Sequence, residues 1–502
     1  MGVARGPLGI APILWILALS LLWRVFFAAV LPLGTDEAYA LAVGRSYSIS
    51  FYDHPPLGFW APALAEDVLG AAGPLGYRIP NLALGTLAVW FLYLSGRRLG
   101  GEKAGLWTAL LAALAPFMAL SGVMILPDAP LYAGMTGALY ALIRLAQGET
   151  DRFWLWVFGG LCLAVALASK YQAGLLPISL LIWIAVTRSA WGWLARPGFW
   201  LAVGLALLGL LPVLLWNIGN GWASFAFHGG RAGGGVNPAN FALMVLAQAL
   251  YLLPVILVWG VARLMSRDLW RDPVVRLLIL IALGPIVMFN AIYLFSGGTL
   301  PHWSMPGWMV LLPLMGVWLA QGAGTAARRW LIGIAVPIHL LLAGIALHVQ
   351  TGFLTAASDP LPEWDNSVPL IPMAETRAAM AASGHLDEAN LLAATGWTEA
   401  GHIAAALGRE HPMRVIDGRA HHFAFMPGQS MGGAARLIGI TRLTEAEGLA
   451  HDLLETARQH DPGARLLGIV TVERGSRPYF ALPVVALSLD PVRLSAQEGD
   501  EF

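Results

Sequence analysis

Two neighbouring carboxylates open the chemistry of this sequence. Asp36 and Glu37 stand in Leu33-Gly-Thr-Asp-Glu-Ala-Tyr39, and Asp53 and His54 follow in Phe51-Tyr-Asp-His-Pro-Pro-Leu57. Proline fixes its own φ and restricts the residue before it, so Pro55-Pro56 stiffens this stretch. A partly desolvated carboxylate beside a bilayer can take a proton from an acceptor hydroxyl. The plainer role for Asp36 or Glu37 is a charge at a helix start, worth about 1 kcal/mol. Four titratable groups crowded at a membrane face favour the chemical role.

Further groups of the same kind recur. Asp128 lies in Ile125-Leu-Pro-Asp-Ala-Pro130, where flanking prolines would aim its carboxylate into the same cavity; a turn residue capping a helix is the alternative. Lys170 is one of two lysines and follows Ala166-Leu-Ala-Ser169 directly. It either snorkels to the interface or contacts a phosphate. Trp216 to Arg231 mixes aromatics with His228 and Arg231 and runs into Ala232-Gly-Gly-Gly235, a composition suited to anion binding or to a flexible loop. His302, in Pro301-His-Trp-Ser-Met-Pro306, could be a metal ligand, a proton carrier or an interfacial residue. His421-His422 reads as surface, and no His/Asp/Glu spacing forms a metal motif.

The elements that must position these groups are membrane spans. Of 502 residues, 57% are hydrophobic and 12% charged, against about 25% charged in soluble chains. About eleven spans are expected, near 10–31, 78–99, 104–125, 129–147, 153–169, 172–187, 199–216, 241–263, 274–295, 303–320 and 329–349. Loops after the even spans hold Arg97-Arg98-Lys103, Arg144/Arg152, Arg188/Arg196, Arg263 to Arg276 and Arg328-Arg329, and should be cytoplasmic. The N-terminus is then inside, its first span an uncleaved anchor. All the polar motifs fall on the outer face.

After about residue 350 the charge density becomes ordinary. Strands are expected at 391–395, 413–416, 466–472 and 479–487, with a helix at 398–407. The chain divides into a membrane domain, 1–350, and an extracytoplasmic α/β domain, 351–502. Cys162 stands alone, which excludes an intramolecular disulfide. Zero net charge implies no bulk attraction to nucleic acid, and no phosphate-cradling Gly-x-x-x-x-Gly-Lys-Ser/Thr loop occurs.

Thr-Asp-Glu-Ala-Tyr, Tyr-Asp-His-Pro-Pro-Leu, Leu-Pro-Asp-Ala-Pro-Leu, Ala-Ser-Lys-Tyr, the Trp-Asn to Arg loop and Pro-His-Trp-Ser-Met-Pro together resemble the bacterial GT-C fold glycosyltransferases. The likeness is to the protein O-mannosyltransferase and aminoarabinose transferase group (glycosyltransferase families 39 and 83) and covers roughly the first 350 residues. It implies a polytopic α-helical membrane protein of the bacterial inner membrane with a periplasmic C-terminal domain. Such enzymes move a sugar from a polyprenyl-phosphate carrier to an acceptor outside the cytoplasm: lipid A, another envelope glycolipid or polysaccharide, or a protein.

By position, the resemblance makes Asp36 the catalytic carboxylate and Asp128 the second acid, with Glu37 beside them. Lys170, Arg231 and His54 would hold the donor phosphate, and Asp53, Tyr39, His228 and His302 would line the substrate site. Asp53-His54 departs from the Glu-Lys pair of the aminoarabinose enzymes. Some relatives use a divalent metal, so one is possible here. A flippase of a lipid-linked sugar is the rival class, and it calls for charges at mid-membrane depth. Arg24 is the main such residue. A lipid-linked oligosaccharide ligase or polymerase would show Arg-rich outer loops, and these are acidic and aromatic.

Overall fold

The computed structural model describes residues 11–70, 72–229, 238–296, 300–322 and 325–492. Its first part is helical: α1 (Ala11–Val30), α2 (Thr35–Gly44), α3 (Leu57–Leu69), α4 (Gly73–Leu114), α5 (Pro116–Ser121), α6 (Asp128–Ala146), α7 (Phe153–Leu167), α8 (Leu175–Val186), α9 (Pro197–Gly219), α10 (Ala223–Gly229), α11 (Pro238–Leu252), α12 (Pro254–Leu264), α13 (Pro273–Ser296), α14 (Met305–Ala320) and α15 (Thr325–Thr351). Outer helices keep apolar side chains exposed, among them Leu14, Trp15 and Leu19 on α1, and Leu207, Leu208 and Leu211 on α9. Helices apolar on the inner and outer faces alike belong in a bilayer.

Among the described residues, six helices are long and apolar enough to cross a membrane, or up to eight if two bent pairs each count as one span. That count is by length and composition alone, and each of the eleven expected spans falls on helical chain. Two expected spans, 78–99 and 104–125, run together as the 42-residue α4, whose backbone leaves helical geometry at Gly100 and at Gly101, with φ 79°. An unbroken helix of that length would reach about 63 Å, twice a hydrocarbon core. Glycine permits the left-handed turn, and Gly105 packs on the Tyr93 backbone as the limbs fold back. The expected span at 153–169 is the shorter α7, that at 129–147 is α6, and that at 241–263 is bent by 106° between α11 and α12.

Beyond α15 the chain builds a six-stranded sheet from β1 (Leu391–Ala394), β2 (Met413–Val415), β3 (Gly433–Ile438), β4 (Thr441–Arg442), β5 (Arg465–Arg474) and β6 (Arg477–Leu489). The order is β2-β1-β3-β6-β4, with β5 also on β6. β1 runs parallel to β2 and β3, and β6 antiparallel to β3, β4 and β5. Three helices accompany it: α16 (Met373–Ser383), α17 (Trp397–Leu407) and α18 (Ala446–His460). The expected strands and helix correspond to β1, β2, β5, β6 and α17. β3 and α18 are not among the expected elements. β3 begins Gly-Ala-Ala, and α18 buries mostly alanines, Ala446, Ala450 and Ala457, with Leu453.

A buried ion pair ties the end of α15 to β5. Arg474 donates to both oxygens of Asp365, at 2.8 and 2.6 Å, and Thr355 Oγ1 donates to Asp365 at 2.7 Å. His348 Nε2, near the end of α15, lies 3.3 Å from the same carboxylate. Burial alone would raise the pKa of Asp365, but Arg474 and Thr355 hold it well below the usual carboxylate range. A carboxylate held lower in the folded chain than in the unfolded one stabilises fully above its unfolded value, and that stabilisation fades as pH falls. Asp365→Asn should therefore lower the unfolding temperature at neutral pH. The gap from the native protein should narrow as pH drops below about 4, as read by thermal unfolding across pH.

Candidate active site

The helix carrying the first two carboxylates is anchored by one of them. Glu37, at the third position of α2, accepts the Gly34 N–H at 3.0 Å and so caps its own helix. It also accepts from Arg78 Nε and Nη2, at 2.8 and 2.6 Å, and from the Ile125 N–H at 2.8 Å. Arg78 in turn donates to the carbonyls of Ala28, Leu31 and Pro32, closing the end of α1. Glu37 and Arg78 are each 1% exposed. With its oxygens taken by four donors, Glu37 has the geometry of a positioning carboxylate, in contrast to the catalytic role expected of it. Asn81 Nδ2 donates to the Met124 carbonyl at 2.6 Å and fixes the loop before Asp128. Arg78 and Asn81 went unrecognised in the sequence because they sit at the start of an apolar span, where interfacial polar residues are common.

Asp36, on the first turn of α2, is different. Its side chain is exposed, and no described residue hydrogen-bonds its carboxylate. Surrounding protein raises its pKa by desolvation first, then by the charge of Glu37; Asp128 adds to the rise and Lys170 opposes it. Water on the open side screens part of this shift. Asp36 thus lines an open recess within electrostatic reach of both members of the next pair.

That pair is Lys170 and Asp128. The ammonium donates to both carboxylate oxygens at 3.1 and 2.9 Å, and both residues are buried. His302 feels both charges, and its ring centroid lies 6.5 Å from that of Tyr251. Lys170 is therefore no snorkelling side chain.

The Asp53-His54 loop closes the recess. The Leu57 N–H donates to the Ala168 carbonyl at 3.0 Å, which sets the loop beside Lys170. Tyr39 Oη donates to Asp53 at 2.9 Å, and His228 Nε2 lies 2.9 Å from the Asp53 carbonyl. Ser224 Oγ donates to the Phe51 carbonyl at 3.0 Å. The His228 ring lies 4.9 Å from Tyr171 and 6.2 Å from His54. Asp36, Glu37, Tyr39, Asp53, His54, Asp128, Lys170, His228 and His302 are thus linked by bonds, ring contacts or mutual charge. Arg231 lies outside the described residues. Among the described residues, no three of His, Cys, Asp or Glu converge as a metal site.

One expectation is overturned. His422 is 2% exposed and bonded to the site loop, not a surface residue. His402, on α17, is also buried, with Nε2 3.4 Å from Thr35 Oγ1. Both come from the C-terminal region, and no local pattern in the sequence tells a buried histidine from a surface one.

An apolar groove of about 460 Å³ lies among α11, α12, α13 and α14, lined in part by Val245, Leu257, Val261, Ile286 and Leu294. Gln248 lies at its wall, accepting from Ser304 Oγ at 2.8 Å and Trp308 Nε1 at 3.1 Å. Another groove, of about 570 Å³, runs between α1 and α4 past Leu17, Leu21, Leu82 and Trp90, and neither groove is lined by the site residues.

The family model described as dolichyl-phosphate-mannose-protein mannosyltransferase matches residues 53–216. No curated protein sequence matches the chain. The crystal structure of ArnT from Cupriavidus metallidurans bound to undecaprenyl phosphate is similar with a TM-score of 0.60 and 18% identity, covering 94% of this chain and 97% of that one. Its apo state gives 0.59 and 16% over the same shares. The chain is a multi-pass membrane protein with the GT-C fold, built on the same plan as ArnT with a sheet-bearing C-terminal region.

Proposed function

We propose that this chain is an inverting glycosyltransferase of the bacterial inner membrane. It moves a sugar from a polyprenyl-phosphate carrier to an acceptor outside the cytoplasm, such as lipid A, another envelope polymer or a protein. The N-terminus is cytoplasmic, residues 1–350 form the transferase domain and 351–502 a periplasmic one. One observation carries the proposal: Asp36 is the open carboxylate of a recess in which Glu37 and Asp128 are buried and ion-paired and Asp53 accepts from Tyr39. The bound lipid in the similar ArnT structure is undecaprenyl phosphate, which supports a lipid-borne donor.

The carrier's tail lies along the apolar groove at Gln248, and its phosphate reaches Lys170 and His54, with Arg231 as a further cation. With a hydroxyl acceptor, Asp36 takes the proton while the oxygen attacks the anomeric carbon. The sugar–phosphate bond breaks, its electrons pass to the phosphate oxygen, and the cations stabilise that charge. With a phosphate acceptor no base is needed, and Asp36 orients the acceptor.

Lys170→Met should weaken binding of undecaprenyl phosphate to the purified protein by at least about ten-fold, the loss of one charge-assisted bond. Asp128→Asn frees Lys170 from its partner and should leave that affinity intact or raise it. Unchanged affinity in Lys170→Met would confine Lys170 to a structural role.

The reaction itself is tested by mass spectrometry of envelope lipids from cells with and without the gene. Loss of one sugar from an envelope acceptor, with the polyprenyl-phosphate sugar accumulating, is the expected result. If liposomes carrying the protein move the donor between leaflets but transfer no sugar, the chain is a flippase.

A further inference from the structure

The loop that carries Asp53 and His54 is held partly by the C-terminal region. The His422 Nδ1 accepts the Tyr52 N–H at 3.2 Å, and the His422 N–H donates to Tyr39 Oη at 3.0 Å. Tyr39 passes the contact on by donating to Asp53 at 2.9 Å. One histidine therefore touches the backbone of the loop and the hydroxyl that fixes its carboxylate. Its ring is packed 4.6 Å from Phe51 and 5.9 Å from Trp216. The region is also seated on α2 itself. Gly401 of α17 lies so close to Tyr39 that a Cβ there would come within 2.9 Å of its Cα, and Arg45 Nη1 donates to the Ala404 carbonyl at 2.8 Å. α2 is the helix that presents Asp36.

We propose that His422 is a positioning residue of the transferase site, and that the C-terminal region completes the site by clamping the Asp53-His54 loop through the His422 Nδ1 and backbone N–H. This rests on the reading of that loop as a donor-phosphate contact. The bond pattern requires an acceptor at Nδ1, which puts the ring proton of neutral His422 on Nε2. Burial lowers the pKa of His422 to about 3, so the ring remains a neutral acceptor at ordinary pH.

Shape makes this testable, because Asn and Gln imitate different atoms of the ring. The Asn Oδ1 falls where Nδ1 stands, and the Gln amide reaches toward Nε2. In the full-length protein, the native chain, His422→Leu, His422→Asn and His422→Gln are compared in two measurements. Hydrogen–deuterium exchange over residues 51–57 reads the clamp without any substrate. Binding of undecaprenyl phosphate reads its consequence.

Leu and Gln should speed exchange at Tyr52 and weaken binding by about ten-fold, the effect of one buried hydrogen bond; Asn should recover most of both. Unchanged exchange in His422→Leu overturns the clamp, and so does a Gln variant that recovers as well as Asn. Faster exchange with unchanged lipid affinity overturns the positioning role. A native chain that binds no undecaprenyl phosphate, yet shows the Leu and Asn exchange pattern, instead overturns the lipid-donor reading and leaves the clamp supported.

Discussion

Asp36→Asn should abolish most sugar transfer while leaving the protein folded. The side chain is exposed and holds no hydrogen bond with a described residue, so the isosteric amide disturbs no packing. It does remove the proton acceptor. General-base groups contribute about 10² to 10⁴-fold to rate, and a loss of that size is expected in turnover from a labelled polyprenyl-phosphate sugar. The pH profile adds a second readout. Desolvation and the Glu37 charge raise the Asp36 pKa, and the base works only when ionised. The native rate should fall on the acid side, with an inflection above the ordinary carboxylate value of about 3.9. Absence of that limb, with turnover still lost in Asp36→Asn, would point to a phosphate acceptor and an orienting role. Unchanged turnover in the folded variant would remove Asp36 from the chemistry.

Much of this site was legible in the sequence because its residues announce themselves by being out of place. Asp36, Asp53, His54, Asp128 and Lys170 interrupt apolar runs, where charge is costly, and the alternation of loop charges placed them on one face. What the residue types did not tell is which of them have partners. Glu37 and Asp36 are adjacent acids, and no spacing rule separates the one that meets Arg78 from the one that faces the recess. Arg78 lies 41 positions away from Glu37 in the chain, so their pairing is a product of packing. The same holds for Lys170 and Asp128, read separately as phosphate ligand and acid yet bonded to each other. His422 lies 370 positions from the Tyr52 amide it accepts. Local period found β5 and β6, where β-branched and aromatic residues are dense, and short apolar runs marked β1 and β2. It missed β3, which begins Gly-Ala-Ala, residues whose burial leaves little hydrophobic signal.

The pairing of Glu37 predicts a stability effect that a catalytic role would not produce. Glu37→Ala strands the Arg78 guanidinium in a buried setting and leaves the Gly34 and Ile125 amides without their acceptor. Breaking one side of a buried ion pair costs about 3–5 kcal/mol. Purified Glu37→Ala protein should therefore unfold at a clearly lower temperature, and any fall in transfer should track the folded fraction. Glu37→Gln should fall between native and Ala, since its amide oxygen can still accept while the charge is gone. Arg78→Met should be damaging in its own right, because Arg78 also closes the carbonyls of Ala28, Leu31 and Pro32. The double change Glu37→Ala/Arg78→Met should cost less than the two single losses added together, because residues in one bonded network are coupled. Full additivity would mean that the pair contributes nothing jointly. A Glu37→Gln protein of native thermal stability but without transfer would return Glu37 to the reacting groups. The expected outcome instead separates two adjacent acids by function: Glu37 holds α2 against the end of α1 and the Ile125 loop, and that rigid seat presents Asp36 at the recess without a hydrogen bond to any described residue.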